Sequence, residues 1–264
     1  WGMHSSKLSR RLSHLSRVLL LLTAPAAVGQ TVSTIDSGSG GWVGFRNSGA
    51  VVNGNPALCY VDGITGHLRF ARNAAADGSG AWSTSNVVGF TPQETTFPVV
   101  KTSLAVVAGN PALVYCDSSQ GLYYARNANA NGTGAWTTNR VSTAGRFDAS
   151  LAVVAGNPAV SFYDADTRTL SFARNANASG TGAWTITTVD AASRAGYASS
   201  LAVVAGNPAI AYYNDSGDDL MFARCTTADG TGAWTITTVD SAGRTGEAPS
   251  LAVVNGAPAI AYYD

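Results

Sequence analysis

"SLAVVAGNP" stands at residues 103–111, again at 150–158 and again at 200–208. Outward from it the likeness continues. From Ser200 the chain reads SLAVVAGNPAIAYYNDSGDDLMFARCTTADGTGAWTITTVDSAGRTGEAP, and Ser250 begins the text again. Proline recurs at Pro56, Pro111, Pro158, Pro208 and Pro258, tryptophan at Trp82, Trp136, Trp184 and Trp234, and arginine at Arg72, Arg126, Arg174 and Arg224. A period near 50 residues indicates a repeat architecture, in which each unit buries its apolar face against its neighbours.

Each unit divides into four strand-like pieces. Ser200 to Val204 is short and apolar, and Gly206-Asn207-Pro208 is expected to stop it, because proline cannot donate to a ladder and glycine accepts positive φ. Ala209 to Tyr213 forms the second piece, the polar loop Asn214 to Asp219 follows, and Leu220 to Arg224 forms the third. The turn at Asp229 leads through Trp234 into TITTVD, ending at Asp240. No segment beyond the first 29 residues keeps a 3.6-residue apolar period, so no helix is expected there.

Four short antiparallel strands per unit predict an all-β chain folded as a β-propeller of four-stranded blades. The units lie near 42–98, 99–149, 150–199 and 200–249, with a partial unit at 250–264, inside a repeat domain spanning 30–264. TVSTID at 31–36 matches TITTVD at 235–240, so the domain is expected to open with a fourth strand. SLAVVNGAPAIAYYD at the other end supplies a first and a second strand. A blade built from both would lack its third strand, so the expectation is at least five blades and a chain cut short after Asp264.

Residues 1–29 are a different text. Lys7, Arg10, Arg11 and Arg17 precede the apolar run Val18 to Leu22, and TAPAAVGQ follows. A basic start, a short apolar core and small residues have the layout of a signal peptide. The run is too short for a membrane span, so a secreted, periplasmic or cell-surface protein is expected, with no transmembrane span once the leader is removed. The remaining chain carries a net charge near −4 and one histidine, His67. Nothing in that balance attracts nucleic acid.

The DGTGAW stretch from Asp229 to Trp234 resembles a degenerate Asp-box, which places an Asp five residues before a Trp between the third and fourth strands of a blade. Asp77 to Trp82 has the same spacing, whereas Asn131 and Ser179 lead the other two copies. Asp-boxes occur in sialidases and in many other secreted propellers. The whole pattern also resembles bacterial tandem-repeat propellers similar in layout to fucose-binding lectins. In physical terms, a small polar residue caps its own turn, and each tryptophan is expected to be a packing residue, as is the arginine series through an inter-blade tie.

Strand order sorts the loops onto two faces. The GNP and GTGAW turns share one face and hardly vary, which suits a structural task. The loops after the second strands and the crossovers between units share the other face and vary, which suits ligand contact. There the second strands end in Asp62, Asp117, Asp164, Asn214 and Asp264, the crossovers carry Arg146, Arg194 and Arg244, and Phe147, Tyr197 and Glu247 precede the new units. The candidate ligand-binding residues are Asp164, Arg194, Tyr197, Asn214, Arg244 and Glu247. Substitutions in these crossovers are expected to spare stability.

Catalysis is not expected from this pattern. A sialidase needs an arginine cluster, a Tyr–Glu pair and a further acidic residue, and Glu247 is the one glutamate outside the irregular stretch 90–98, so units this uniform leave little room for a singular site. Against a lectin-like use of the arginine series, fucose lectins pair Arg with a carboxylate in each pocket and no glutamate recurs here. His67 alone makes no Ser/His/Asp set, no His/Cys cluster suggests zinc, and NDSGDD at 214–219 lacks calcium-loop spacing. No cofactor or metal is expected. Cys59, Cys116 and Cys225 form an odd count without disulfide spacing and read as incidental, Cys59 and Cys116 pointing to opposite faces of their strands. The expected function is non-catalytic binding, with a glycan as ligand. The alternatives are a scaffold for a cell-surface protein and a sialidase-like or other glycoside hydrolase.

Overall fold

The computed structural model describes residues 32–36, 43–90, 99–117 and 121–264. The expected leader, residues 1–29, and Glu94 lie outside them. The described residues contain strands and turns but no helix, so no helix is long and apolar enough to cross a membrane.

The strands form one meandering sheet per repeat. The first is β1 (Val43–Val52), β2 (Asn55–Asp62), β3 (His67–Asn73) and β4 (Trp82–Gly89); the second is β5 (Val99–Val107), β6 (Asn110–Asp117), β7 (Gly121–Asn127) and β8 (Trp136–Ser142). The third holds β9 (Gly145–Val154), β10 (Asn157–Asp164), β11 (Thr169–Asn175) and β12 (Trp184–Asp190), and the fourth β13 (Ala195–Val204), β14 (Asn207–Asn214), β15 (Asp219–Cys225) and β16 (Trp234–Asp240). A two-stranded sheet of β17 (Glu247–Val254) and β18 (Ala257–Tyr263) follows. Each full sheet is antiparallel in chain order, and the first strands of successive sheets pack on one another. The fold is a tandem-repeat β-propeller with its first strands innermost.

The repeated letters explain this arrangement one by one. Ala205 and Gly206, at φ 46° and 83°, form the two-residue turn, because two left-handed residues match the twist of a hairpin. Pro208 therefore does not end the first strand, as the sequence suggested; it lies inside β14 opposite Val203. Its missing N–H would have faced Cys225, and the preceding Asn207 side chain donates to the Cys225 carbonyl instead, at 2.9 Å. Asn55, Asn110 and Asn157 do the same for their own third strands. The Ser-Leu pair links blades: Ser48, Ser103, Ser150 and Ser200 each accept the backbone N–H of the next blade's Leu104, Leu151, Leu201 or Leu251, at 2.9–3.0 Å.

Alternation along the second strands divides the core between neighbours. Ala57, Cys59 and Val61 pack with Leu113 and Tyr115 of the next sheet, while Ala112, Val114 and Cys116 pack toward Phe162 of the one after. Cys59 and Cys116 are thus both directed at the following blade. The expectation of opposite faces fails because the two residues stand two positions apart in register, the period of a strand. All three cysteines are buried and free, and burial pushes the Cys59 thiol up to about 11.

The arginine series ties strands within a blade, not between blades as expected. Arg72, Arg126 and Arg174 donate Nε to Val52, Val107 and Val154 carbonyls at 2.9–3.1 Å, and Nη2 to the next carbonyl of the same turn. The tryptophans do cross between blades. Trp136 stands edge-on to Phe70 at 5.4 Å, Trp184 to Tyr124 at 5.5 Å, and Trp234 is tilted on Phe172 at 5.2 Å. The glycine before each tryptophan's turn lies over the same ring, so a methyl group at Gly180 would come within 2.4 Å of Tyr124. Gly206 has a similar positive φ but nothing within 4 Å. Gly206→Ala should therefore cost about 1 kcal/mol from backbone strain alone, and Gly180→Ala about 2–3 kcal/mol because the ring must also move. Urea unfolding of the two variants separates the contributions.

Candidate functional site

The mouth of the propeller at the crossover end is built from the starts of the first strands and the loops after the second strands. The crossovers there are pinned. Arg168 and Asp218 occupy the left-handed region at φ 60° and 57°, and their carbonyls accept N–H groups from Arg194 at 2.7 Å and Thr245 at 3.0 Å. The same bond joins Phe90 to Gly66 at 2.5 Å. Short carbonyl-to-amide links of this kind hold the crossover against its own sheet.

The sequence-derived candidates fall into two connected groups and two local caps. Arg244 reaches Glu247 at 2.5 Å and Asp218 at 3.9 Å, and Asp218 also accepts the Tyr213 hydroxyl. Arg194 pairs with Asp215. Behind it Tyr197 stacks on Tyr163, with ring centroids 4.2 Å apart. That contact corrects the expectation that crossover changes spare stability, because Tyr163 is buried and loses its stacking partner if Tyr197 is truncated. Asp164 accepts the Asp166 and Thr167 amides at 3.0 Å, and Asn214 accepts the Ser216 amide at 3.0 Å, so each closes its own loop. Asp62 does likewise through Ile64 and Thr65. Burial raises its pKa, but the Thr65 hydroxyl, the Thr65 and Ile64 amides and Arg69 outweigh that and hold it below the ordinary carboxylate range. The side chains of Arg146 and Phe147 lie outside the described residues.

Two residues at the centre escaped the reading of the sequence. Lys101 on β5 and Asp148 on β9 approach to 3.7 Å, and the other Asp148 oxygen accepts the Ala198 amide of β13 at 2.9 Å. Asp148 thereby bridges three successive inner strands. A signal for it was available. Counting back two from the repeated serine gives Arg46, Lys101, Asp148, Ala198 and Ala248, a variable column on the innermost strand beside a constant one. Across the five inner strands the acidic residues are Asp148 and Glu247, both at the crossover end.

Tyrosines govern the alkaline behaviour. Tyr212 donates to Asp190 of the preceding blade at 2.6 Å, and Tyr60 to Asp36 at 2.8 Å. Burial first, then the bonded carboxylate, raises both phenols above their ordinary 10.0; burial also raises Tyr124. A raised folded-state pKa leaves stability intact below the unfolded value and removes it as pH climbs toward the folded one. The urea midpoint should thus hold steady up to about pH 10 and fall beyond it, with a shallower fall in Tyr212→Phe.

No protein-family model and no curated protein matches the chain. Solved structures do. An α-L-arabinofuranosidase from Lactobacillus brevis superposes with a TM-score of 0.54 at 12% identity, covering 83% of each chain. An exo-β-1,3-galactanase from Phanerochaete chrysosporium, solved with galactose, gives 0.54 at 10% identity over 81% of this chain and 55% of its own. A mutant of AofleA from Arthrobotrys oligospora, with three evenly spaced arginines replaced by alanine, gives 0.56 at 15% identity over 84% of this chain and 66% of its own. At these identities the likeness is one of fold. It nevertheless corrects the expectation of a chain without catalysis. The sequence shows no catalytic set, yet propellers of this fold include glycoside hydrolases, and the inner strands here carry a singular Lys101–Asp148 pair.

Proposed function

We propose that the protein acts on carbohydrate and hydrolyses a glycosidic bond at the crossover mouth, with Asp148 and Glu247 as its two carboxylates. The observation that carries this reading is the confinement of acidic residues on the inner strands to those two positions. Glycoside hydrolysis needs a pair of carboxyl groups, one to protonate the leaving oxygen and one to act on the opposite face of the sugar. Asp148 is fixed by an amide and an ammonium and Glu247 is paired with Arg244, so the division of the two roles between them is read from the pH profiles of Asp148→Asn and Glu247→Gln. Tyr197, next in sequence to the Ala198 amide that holds Asp148, and Arg194 on the same crossover supply an aromatic ring and a hydrogen-bonding group of the kind a hydroxyl-rich ligand uses. The glycan-acting neighbours support the substrate class, and the basic-then-apolar leader supports action outside the cytoplasm.

A panel of fluorogenic arabinofuranosides, galactosides, xylosides and sialosides, assayed with the full chain, tests the proposal. Turnover of at least one substrate is the expected result. Absence of turnover across the panel, and of sugar release from the matching polysaccharides, overturns it.

A further inference from the structure

The loops after the second strands hold one residue in the left-handed region, and its identity changes from blade to blade. It is Gly66 in the first blade, Arg168 in the third and Asp218 in the fourth, at φ 67°, 60° and 57°. A long side chain in this conformation is uncommon and is kept where the surrounding structure fixes it. In the fourth blade Asp218 faces Arg244 of the following crossover at 3.9 Å. One repeat earlier the same two places hold Arg168 and Arg194, so a cation stands where the ion pair has its acid. The two arginines are neighbours, since the Arg194 amide donates to the Arg168 carbonyl at 2.7 Å. Both also act on one phenol: burial and then the hydrogen bond with Tyr197 raise Tyr163, and the charges of Arg168 and Arg194 oppose that rise. Arg194 is matched by Asp215. Arg168 is exposed and makes no ion pair among the described residues. Two acids share its loop. Asp164 is turned onto the Asp166 and Thr167 amides, and Asp166, also exposed, forms no ion pair among the described residues.

We propose that Arg168 and Arg194, beside the stacked Tyr163–Tyr197 pair, form a subsite for the carboxylate of an acidic sugar, which makes a uronic-acid glycan the substrate class. The assignment rests on the carbohydrate reading above. Its argument is the contrast between two blades of one chain. Where the fold ties loop to crossover electrostatically, it sets Asp218 against Arg244. Two guanidinium groups in those places repel, and an anion set between them turns the repulsion into attraction. Asp215 offsets one of the two charges, which leaves a place for a single negative group. A guanidinium matches a carboxylate with two parallel N–H bonds, so a planar carboxylate suits it. The surroundings are fixed in advance. Tyr197 is backed by the buried Tyr163 ring at 4.2 Å, and the Arg168 backbone is tied to the crossover. Tyr197 is also next in sequence to Ala198, whose amide holds Asp148, so the subsite and the candidate carboxylate share the start of one inner strand.

The probes are the methyl glycosides of galacturonic and glucuronic acid, each titrated into the full chain against its neutral parent sugar and followed by saturation-transfer NMR. Each pair differs only at C6, a carboxylate against a hydroxymethyl group. At least one uronide is expected to bind about tenfold or more tightly than its parent, with the advantage shrinking as salt is raised. Arg168→Asp copies the Asp218–Arg244 arrangement and should abolish the preference, while Arg168→Lys should keep part of it. Equal binding within both pairs overturns the proposal, as does a preference that survives Arg168→Asp. Tighter binding of galactose 6-sulfate than of either uronide overturns the carboxylate assignment. A uronide preference in a chain that turns over no glycoside would retain this subsite and remove hydrolysis alone, whereas turnover without the preference would remove the subsite alone.

Discussion

Asp148→Asn should lower glycoside turnover by about 100- to 10,000-fold, the range supplied by a positioned acid or base, while the protein still melts near the parent temperature. The amide keeps the geometry. Its oxygen can still accept the Ala198 amide, the 2.9 Å bond that holds the side chain between blades. What disappears is the charge opposite Lys101 at 3.7 Å, a partly exposed pair whose loss costs about 1 kcal/mol or less. Activity and stability therefore separate in this variant, as they would not if Asp148 were only an inter-blade clasp. Comparing kcat/KM with the melting midpoint decides the matter. Unchanged turnover in an otherwise active protein would remove Asp148 from the site and leave Glu247 as the remaining inner-strand acid, to be tested by Glu247→Gln.

Trp184→Ala is expected to act in the opposite way, costing about 3–5 kcal/mol of folding stability. The indole closes the joint between the second and third blades, edge-on to Tyr124 and beside the core that holds Val160 and Phe162. Its buried N–H has no hydrogen-bond partner in the protein, so the loss is one of packing. Alanine strips this partly buried ring from the seam between two sheets that are each packed on a further blade on their other side. Guanidinium unfolding measures the cost. A loss below about 1 kcal/mol would mean that the joint repacks, and that the tryptophans were retained for another purpose.

Fold and site differ in how far the linear text reveals them. Three copies of SLAVVAGNP, with Arg, Trp and Pro at the same period, are sufficient for a propeller of four-stranded blades, because a unit that cannot bury its own apolar face must stack on a copy of itself. Strand order, and the division into a constant and a variable face, follow from the same letters. The finer assignments went wrong where a residue serves a partner outside its own strand. Pro208 reads locally as a strand breaker, yet the Asn207 side chain replaces its missing donor. The arginines look like inter-blade ties until their acceptors prove to be carbonyls of their own blade's turn.

The candidate site lies furthest from the sequence. Lys101 and Asp148 are separated by most of a repeat, and Ala198 by another. They meet because stacking the blades brings the first strands side by side, at one height, around a common centre. The sequence by itself determined the repeat, the strands and the faces, since these depend on short-range alternation and turn chemistry. Which charges converge and which phenols are buried against the preceding blade's carboxylates were decided only by the tertiary structure, because each is a distance between residues about 20–50 positions apart that only the packing of one blade on the next can set.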